Sequence, residues 1–320
     1  MKCDLSNEVT VRRRLPSVLY SEQFYANLAM LAVIIFWGIS YVSIKITVVE
    51  IPPITMALIR FALASIILGI ILRRVEPQAR LDKSDLPKMF LGGVFGITIY
   101  FLFENYGVKL SSATNASLIV SVVPIITIML DILFFHSKLS IMKIAGVFIA
   151  IGGSYLAVTA NGKVDLNSGH FLGNILMLCA MLSWAFFTLV NKSLQKKYSG
   201  LFLTTYQTFF GTLCFIPLSL FEYKEWRPFS LTVLGNLLFL AVFCSVAGYV
   251  LYTYALKRLD VALTTIYLNL IPVVGVLSGY LILRESVLPI QLVGGGITLL
   301  AIVIINFELV AYQLRKQKQL

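Results

Sequence analysis

The sequence predicts an all-α integral membrane protein of ten transmembrane helices, arranged as two inverted five-helix repeats with the N- and C-termini cytoplasmic. Three observations predict it. Hydrophobic residues fill 58% of the 320 positions and charged residues only 13%, against roughly 25% charged in a soluble domain. Apolar runs of about 20 residues recur along the chain, each long enough at 1.5 Å per residue to cross about 30 Å of hydrocarbon. The two halves also repeat each other at an offset of 147 to 148 residues.

Taken in order, residues 1–26 form a cytoplasmic tail containing Val-Arg-Arg-Arg-Leu-Pro at 11–16. No A-x-A-like cleavage pattern follows, so the first run reads as a span and not as a removable signal. The first repeat, 27–160, holds spans at 27–48, 53–72, 88–108, 113–135 and 141–160. An external linker, 161–171, leads to the second repeat, 172–308, with spans at 172–194, 201–221, 232–256, 262–283 and 288–308. Residues 309–320 form a second cytoplasmic tail. Long continuous apolar runs favour helices over a barrel, whose strands give weak alternations of about ten residues.

The formal charge of +11 orients the chain. With the N-terminus cytoplasmic, nineteen of the 26 Lys and Arg residues fall on the cytoplasmic side, among them Arg12, Arg13 and Arg14, the 73–88 loop, Lys196 and Lys197. The opposite side receives Lys109, Lys163, Lys224, Arg227 and Arg284, and Lys45 and Arg60 lie inside spans. This is the positive-inside bias, and it removes the case for nucleic acid as a partner.

The repeat is anchored by chemically unusual residues. Trp-Gly-Ile-Ser-Tyr-Val-Ser-Ile-Lys at 37–45 returns as Trp-Ala-Phe-Phe-Thr-Leu-Val-Asn-Lys at 184–192, and Ser-Leu-Ile-Val-Ser-Val-Val-Pro at 117–124 as Thr-Ile-Tyr-Leu-Asn-Leu-Ile-Pro at 265–272. An odd number of spans per copy turns the second copy over in the bilayer, the inverted-repeat plan of secondary transporters. With the Leu-Ile-Arg-Phe-Ala-Leu-Ala of 58–64 and the Leu-Arg-Glu-Ser-Val-Leu-Pro-Ile-Gln-Leu-Val-Gly-Gly-Gly-Ile of 283–297, the chain resembles the drug/metabolite transporter superfamily, in its ten-helix EamA branch, over residues 27–308. The resemblance implies a carrier of small metabolites, often an exporter of amino acids or related compounds, driven by an ion gradient or acting as a facilitator. The family pattern places a Glu before the fifth helix of each repeat; Glu285 satisfies it, whereas Ser137 stands at the first-repeat position.

Polar groups inside spans are costly and face an interior or a wet cavity, so they are the site candidates. Trp37, Tyr41 and Lys45 lie four residues apart on one helical stripe, as do Trp184, Thr188 and Lys192. The lysines read more simply as mouth-level fixtures snorkelling from the stripe. Pro124 and Pro272 kink their helices and free a carbonyl; Ser117, Ser121, Thr265, Tyr267 and Asn269 stand around them as substrate-cavity candidates, and Tyr100, Tyr249 and Tyr252 add aromatic lining. Arg60, roughly 12 Å inside helix 2, needs an acceptor. Glu104 is the candidate, so Lys45, Arg60 and Glu104 are expected to form a charge cluster, either as a structural ion pair or as a substrate-carboxylate or proton-coupling site. Asp131 reads as a helix-end residue paired with Lys138, and His136 and His170 as surface residues. Helices 5 and 10, rich in glycine, pack on each other or form a homodimer contact.

No H-E-x-x-H, Walker A or G-x-S-x-G pattern is present, the two histidines fall on no catalytic face, and Cys3, Cys179, Cys214 and Cys244 have neither disulfide nor metal spacing. The expectation is therefore a non-enzyme without cofactor or metal, multi-pass in the cell membrane, whose partners are a small-molecule substrate, the lipid bilayer and a proton or ion gradient. A sugar-phosphate or nucleotide-sugar exchanger and a non-transporting scaffold or regulator are the alternatives.

Overall fold

A computed structural model describes residues 5–123, 126, 129, 130, 141–158, 169–259 and 267–301. Pro124 and Thr265, and likewise Asp131, His136, Ser137 and Lys138, lie outside the described residues. Every regular element among the described residues is helical. They are α1 (Leu5–Thr47), α2 (Pro53–Val75), α3 (Lys83–Leu110), α4 (Ala113–Val122) and α5 (Ile141–Val158), then α6 (Gly169–Leu194), α7 (Gly200–Glu225), α8 (Leu231–Leu256), α9 (Ile271–Leu283) and α10 (Pro289–Ala301). Residues Glu22–Thr47 of α1, together with α2, α3, α6, α7 and α8, give six helices long and apolar enough to cross a bilayer; α4, α9 and α10 are shorter apolar helices within the described residues.

The starts of these helices follow from their residues. Ser112, Ser199 and Ser230 are extended and accept from the backbone N–H three residues on, capping α4, α7 and α8. Helix α2 begins Pro52-Pro53 and has no cap of its own.

The centre of the fold is the α2–α7 pair. Thr55 meets Glu222, Ser65 meets Thr212 and Glu76 meets Ser199, so advance along one helix is retreat along the other and the two run antiparallel. Ser65 and Thr212, which match each other at the 147-residue sequence offset, touch at 3.1 Å. Phe61 stacks on Phe215 beside them, with ring centroids 6.3 Å apart and planes 6° from parallel. The outer stripe of α7, Phe209, Leu213, Ile216 and Leu220, is exposed, as a lipid-facing surface should be.

The same relation recurs around the centre, with α1 antiparallel to α8 and α3 to α6. Both third helices of the repeats contain a π-helical stretch, Val94–Ile99 in α3 and Phe239–Ala247 in α8. Each stretch has a carbonyl that takes a donor from the first helix of the other repeat: Ser183 Oγ donates to Phe95 O at 2.7 Å and Trp37 Nε1 to Cys244 O at 3.0 Å. Such wide turns are concentrated at functional sites. Close approach of α3 to α6 depends on Gly173, where a Cβ would lie 2.6 Å from the Ser111 nitrogen. Helices α5 and α10 approach through Gly153, which faces the Gly294 carbonyl and Thr298.

At the end where α2, α4 and α8 begin, three carboxylates each cap a helix of the other repeat. Glu222 accepts from the N–H groups of Ile54 (3.1 Å) and Thr55 (2.7 Å), from Thr55 Oγ1 and from the Tyr106 hydroxyl, supplying the cap that Pro52 cannot. Glu285 accepts from the N–H groups of Ala113 and Thr114; it is turned there by Arg284, whose left-handed backbone (φ 56°, ψ 31°) ends α9. Glu50 accepts from the backbone and hydroxyl of Ser230. Anionic groups at helix N-termini are stabilised by the dipole and by unpaired N–H groups. The opposite end carries a more exposed set, in which Ser199 donates to Glu76 and Lys197 pairs with Asp82 and Asp85. Hydrogen bonds to Asp82 and then Asp85 raise Lys197 above the ordinary lysine pKa.

Candidate functional site

A cavity of about 210 Å³ lies between the repeats. Its walls come from α1, α2, α3, α4, α6 and α8 and from the turn that opens α9. Of the sequence candidates it gathers Trp37, Tyr41, Arg60, Glu104, Ser121, Trp184, Asn269 and Pro272, the last not as the expected mid-helix kink but in the first turn of α9, where a proline's missing N–H costs no helical bond. Tyr100 and Tyr249, expected as aromatic lining, are also in the wall.

The aromatic walls are built across the repeats. Trp37 of α1 packs against Tyr249 and Tyr252 of α8, with ring centroids 5.4 and 5.6 Å away. Its mate Trp184 packs against Tyr100 of α3 at 5.2 Å. Each indole thus closes on the helix carrying the other repeat's π-helical stretch.

Two opposite charges share the cavity without touching. The Arg60 side chain is 3% exposed; its Nε donates to Ser245 Oγ at 2.8 Å, and its guanidinium carbon lies 4.9 and 4.6 Å from the ring centres of Phe61 and Phe101. Nη1 is buried without a hydrogen-bond partner. Glu104, also 3% exposed, accepts the Tyr100 hydroxyl on Oε1 at 2.8 Å. No ion pair joins Arg60 to Glu104 among the described residues. Asn269 Nδ2, in the wall formed before α9, is a second buried donor with no partner.

The other sequence candidates sit elsewhere. Lys45 is apart from Arg60 and Glu104: its ammonium donates to the Val108 and Lys109 carbonyls at 2.9 Å, and to the Ser111 carbonyl, closing the C-terminus of α3. Ser117 is fully buried, donates to the Thr114 carbonyl and packs against Gly275. Thr188 is exposed and donates to the Trp184 carbonyl. Tyr267 donates to Asn27 Oδ1 at 2.9 Å, tying the approach to α9 to α1. Ser40, Phe101, Cys244 and Ser245, which the sequence reading did not single out, belong to the site or hold its arginine.

Apolar spans around an aromatic cavity that holds a guanidinium and a carboxylate with no direct ion pair between them fit a multi-pass membrane transporter. The EamA-like transporter family model matches the chain twice, at residues 24–159 and 171–307. An "uncharacterized transporter" of Archaeoglobus fulgidus is 30% identical over 272 residues, 84% of this chain and 94% of the relative. A "probable terminal-alkyne amino-acid exporter" of Streptantibioticus cattleyicolor is 26% identical over 281 residues, 87% of this chain and 92% of the relative. A solved crystal structure superposes with a TM-score of 0.63 at 14% identity, covering 89% of this chain and 97% of that one, and so shares the fold. The chain belongs to the EamA-like transporter family.

Proposed function

We propose that the protein is a secondary transporter that exports small zwitterionic metabolites, amino acids foremost, by alternating access. In this reading ten transmembrane helices form two inverted five-helix repeats with both termini cytoplasmic, and the repeats rock about the α2–α7 contact to open the cavity to one face and then the other. The observation that carries it is the separation of Arg60 from Glu104 within one aromatic-walled cavity. Buried charged groups that make no direct ion pair are costly. A ligand bearing a carboxylate and an ammonium group satisfies both at once, while its apolar remainder lies against Trp37 and Trp184. The similarity to a probable amino-acid exporter points the same way.

A sugar-phosphate substrate is favoured less, because Arg60 is the one Lys or Arg among the described cavity-lining residues and Glu104 would repel a dianion. The test is uptake and efflux of an amino-acid and metabolite panel in proteoliposomes, with and without a pH gradient. Flux of zwitterions supports the proposal; flux of sugar phosphates alone supports the exchanger, and no flux of any compound supports a scaffold.

A further inference from the structure

The protein places two buried nitrogen donors without partners, Arg60 Nη1 and Asn269 Nδ2, in one cavity. Buried polar atoms of native proteins are nearly always paired, and an unpaired buried donor costs free energy, so two of them facing one cavity call for a partner there. The two come from different repeats: Arg60 is early in α2, and Asn269 is in the turn that leads into Pro272 and α9. Arg60 is not free to swing toward another acceptor, since its Nε is bonded to Ser245 and its planar group is held over Phe61 and Phe101.

We infer that Arg60 and Asn269 form a two-donor clamp for a ligand carboxylate, with Nη1 and Nδ2 donating to it from opposite repeats. This rests on the zwitterion reading and deepens it, by assigning the carboxylate end of the ligand and a residue that selects for it. A carboxylate is the fitting group because it is planar, monoanionic and accepts on two oxygens, and a guanidinium donor to it makes a charge-assisted bond. Glu104 on the same cavity sets the other half of the specificity. It repels an anion that brings no positive charge and accepts the ammonium of one that does. The clamp also spans the repeat interface, so occupancy joins the parts that move in alternating access.

The test is calorimetric binding of three probes of one shape, L-phenylalanine, 3-phenylpropionate and 2-phenylethylamine, to the purified full chain. Asn269→Leu, which removes the donor at similar volume, is expected to weaken both carboxylates by about 10- to 150-fold, the range carried by a hydrogen bond to a charged group, and to leave the amine unchanged. Glu104→Gln is expected to reverse the order of the two carboxylates, strengthening 3-phenylpropionate and weakening L-phenylalanine. Arg60→Lys, which keeps the charge and loses the fork, provides a second variant of the clamp and weakens both carboxylates. Each variant is compared at equal monodispersity, which removes misfolded protein from the comparison. Carboxylates that bind Asn269→Leu as tightly as wild type overturn the clamp, as does a wild type that binds neither carboxylate. Binding of 3-phenylpropionate that depends on Asn269, without binding of L-phenylalanine, leaves the clamp standing and overturns the amino-acid reading.

Discussion

Removal of the Glu222 side chain gives the largest stability change expected from one residue outside the cavity. Glu222 is 4% exposed and holds the N–H groups of Ile54 and Thr55, the Thr55 hydroxyl and the Tyr106 hydroxyl, so it joins α7 to α2 and α3. In Glu222→Ala the hydroxyls rotate to other acceptors, but the two N–H groups at the start of α2 cannot, and Pro52 offers no cap. An orphaned buried donor costs about 1–3 kcal/mol, so the pair and the lost dipole interaction come to roughly 3–5 kcal/mol. At about 2–4 °C per kcal/mol the melting temperature falls by roughly 6–20 °C. Glu222→Gln presents an NH2 group toward donors and is expected to lose about half of that. The assay is thermal melting of the detergent-solubilised protein, with the exposed Glu225 as the Ala control. A Glu222→Ala protein melting within about 2 °C of wild type would refute the argument that this carboxylate closes the end of the bundle.

Lys45→Met removes the donors that close α3 and is expected to cost about 1–2 kcal/mol in melting experiments while leaving ligand affinity unchanged, because the ammonium serves carbonyls and not the cavity. Gly173→Ala places a Cβ 2.6 Å from the Ser111 nitrogen and lowers folded yield in size-exclusion chromatography, whereas Gly69→Ala meets nothing within 4 Å and raises stability by about 0.5–1 kcal/mol. Lys197→Ala leaves melting at neutral pH unchanged, since the lysine itself is about half exposed and its charge is screened by solvent. Because the lysine pKa is raised, any contribution it makes is fully present below the unfolded value of 10.5 and is lost only above it, so melting of wild type and Lys197→Ala should stay parallel from pH 6 to 9 on the lysine side.

Hydropathy and the repeat located the helices well because length and apolarity are what a bilayer demands. The span expected at 53–72 is α2 over Pro53–Val75, and that expected at 232–256 is α8 over Leu231–Leu256. The cavity was legible where a costly residue sits at mid-depth: Trp37, Tyr41, Arg60, Glu104, Trp184 and Asn269 all line it. It was not legible where stripe reasoning overran the geometry. Four residues advance a helix by about 6 Å and 40°, so Lys45, two such steps beyond Trp37, lies about 12 Å further along and has turned away to the end of α3. Thr188 turned its hydroxyl onto its own helix at the Trp184 carbonyl, a bond that any mid-helix threonine can make. The anchor of Arg60 was silent because Ser245 looks like one small residue in an apolar run. The π-helical stretches have no compositional mark; they follow from packing against the first helix of the other repeat. Glu222 gave no signal in the sequence because its partners, at the start of α2, are 167 and 168 positions away.

Solute counterflow of labelled L-phenylalanine, in proteoliposomes preloaded with the unlabelled amino acid, tests the central claim most directly, because it needs no knowledge of the coupling ion. The account predicts transient accumulation with wild type, none with Arg60→Met or Glu104→Gln, and retained accumulation with Lys45→Met. Counterflow unaffected by Arg60→Met, or arrested by Lys45→Met while the cavity variants still transport, would contradict it.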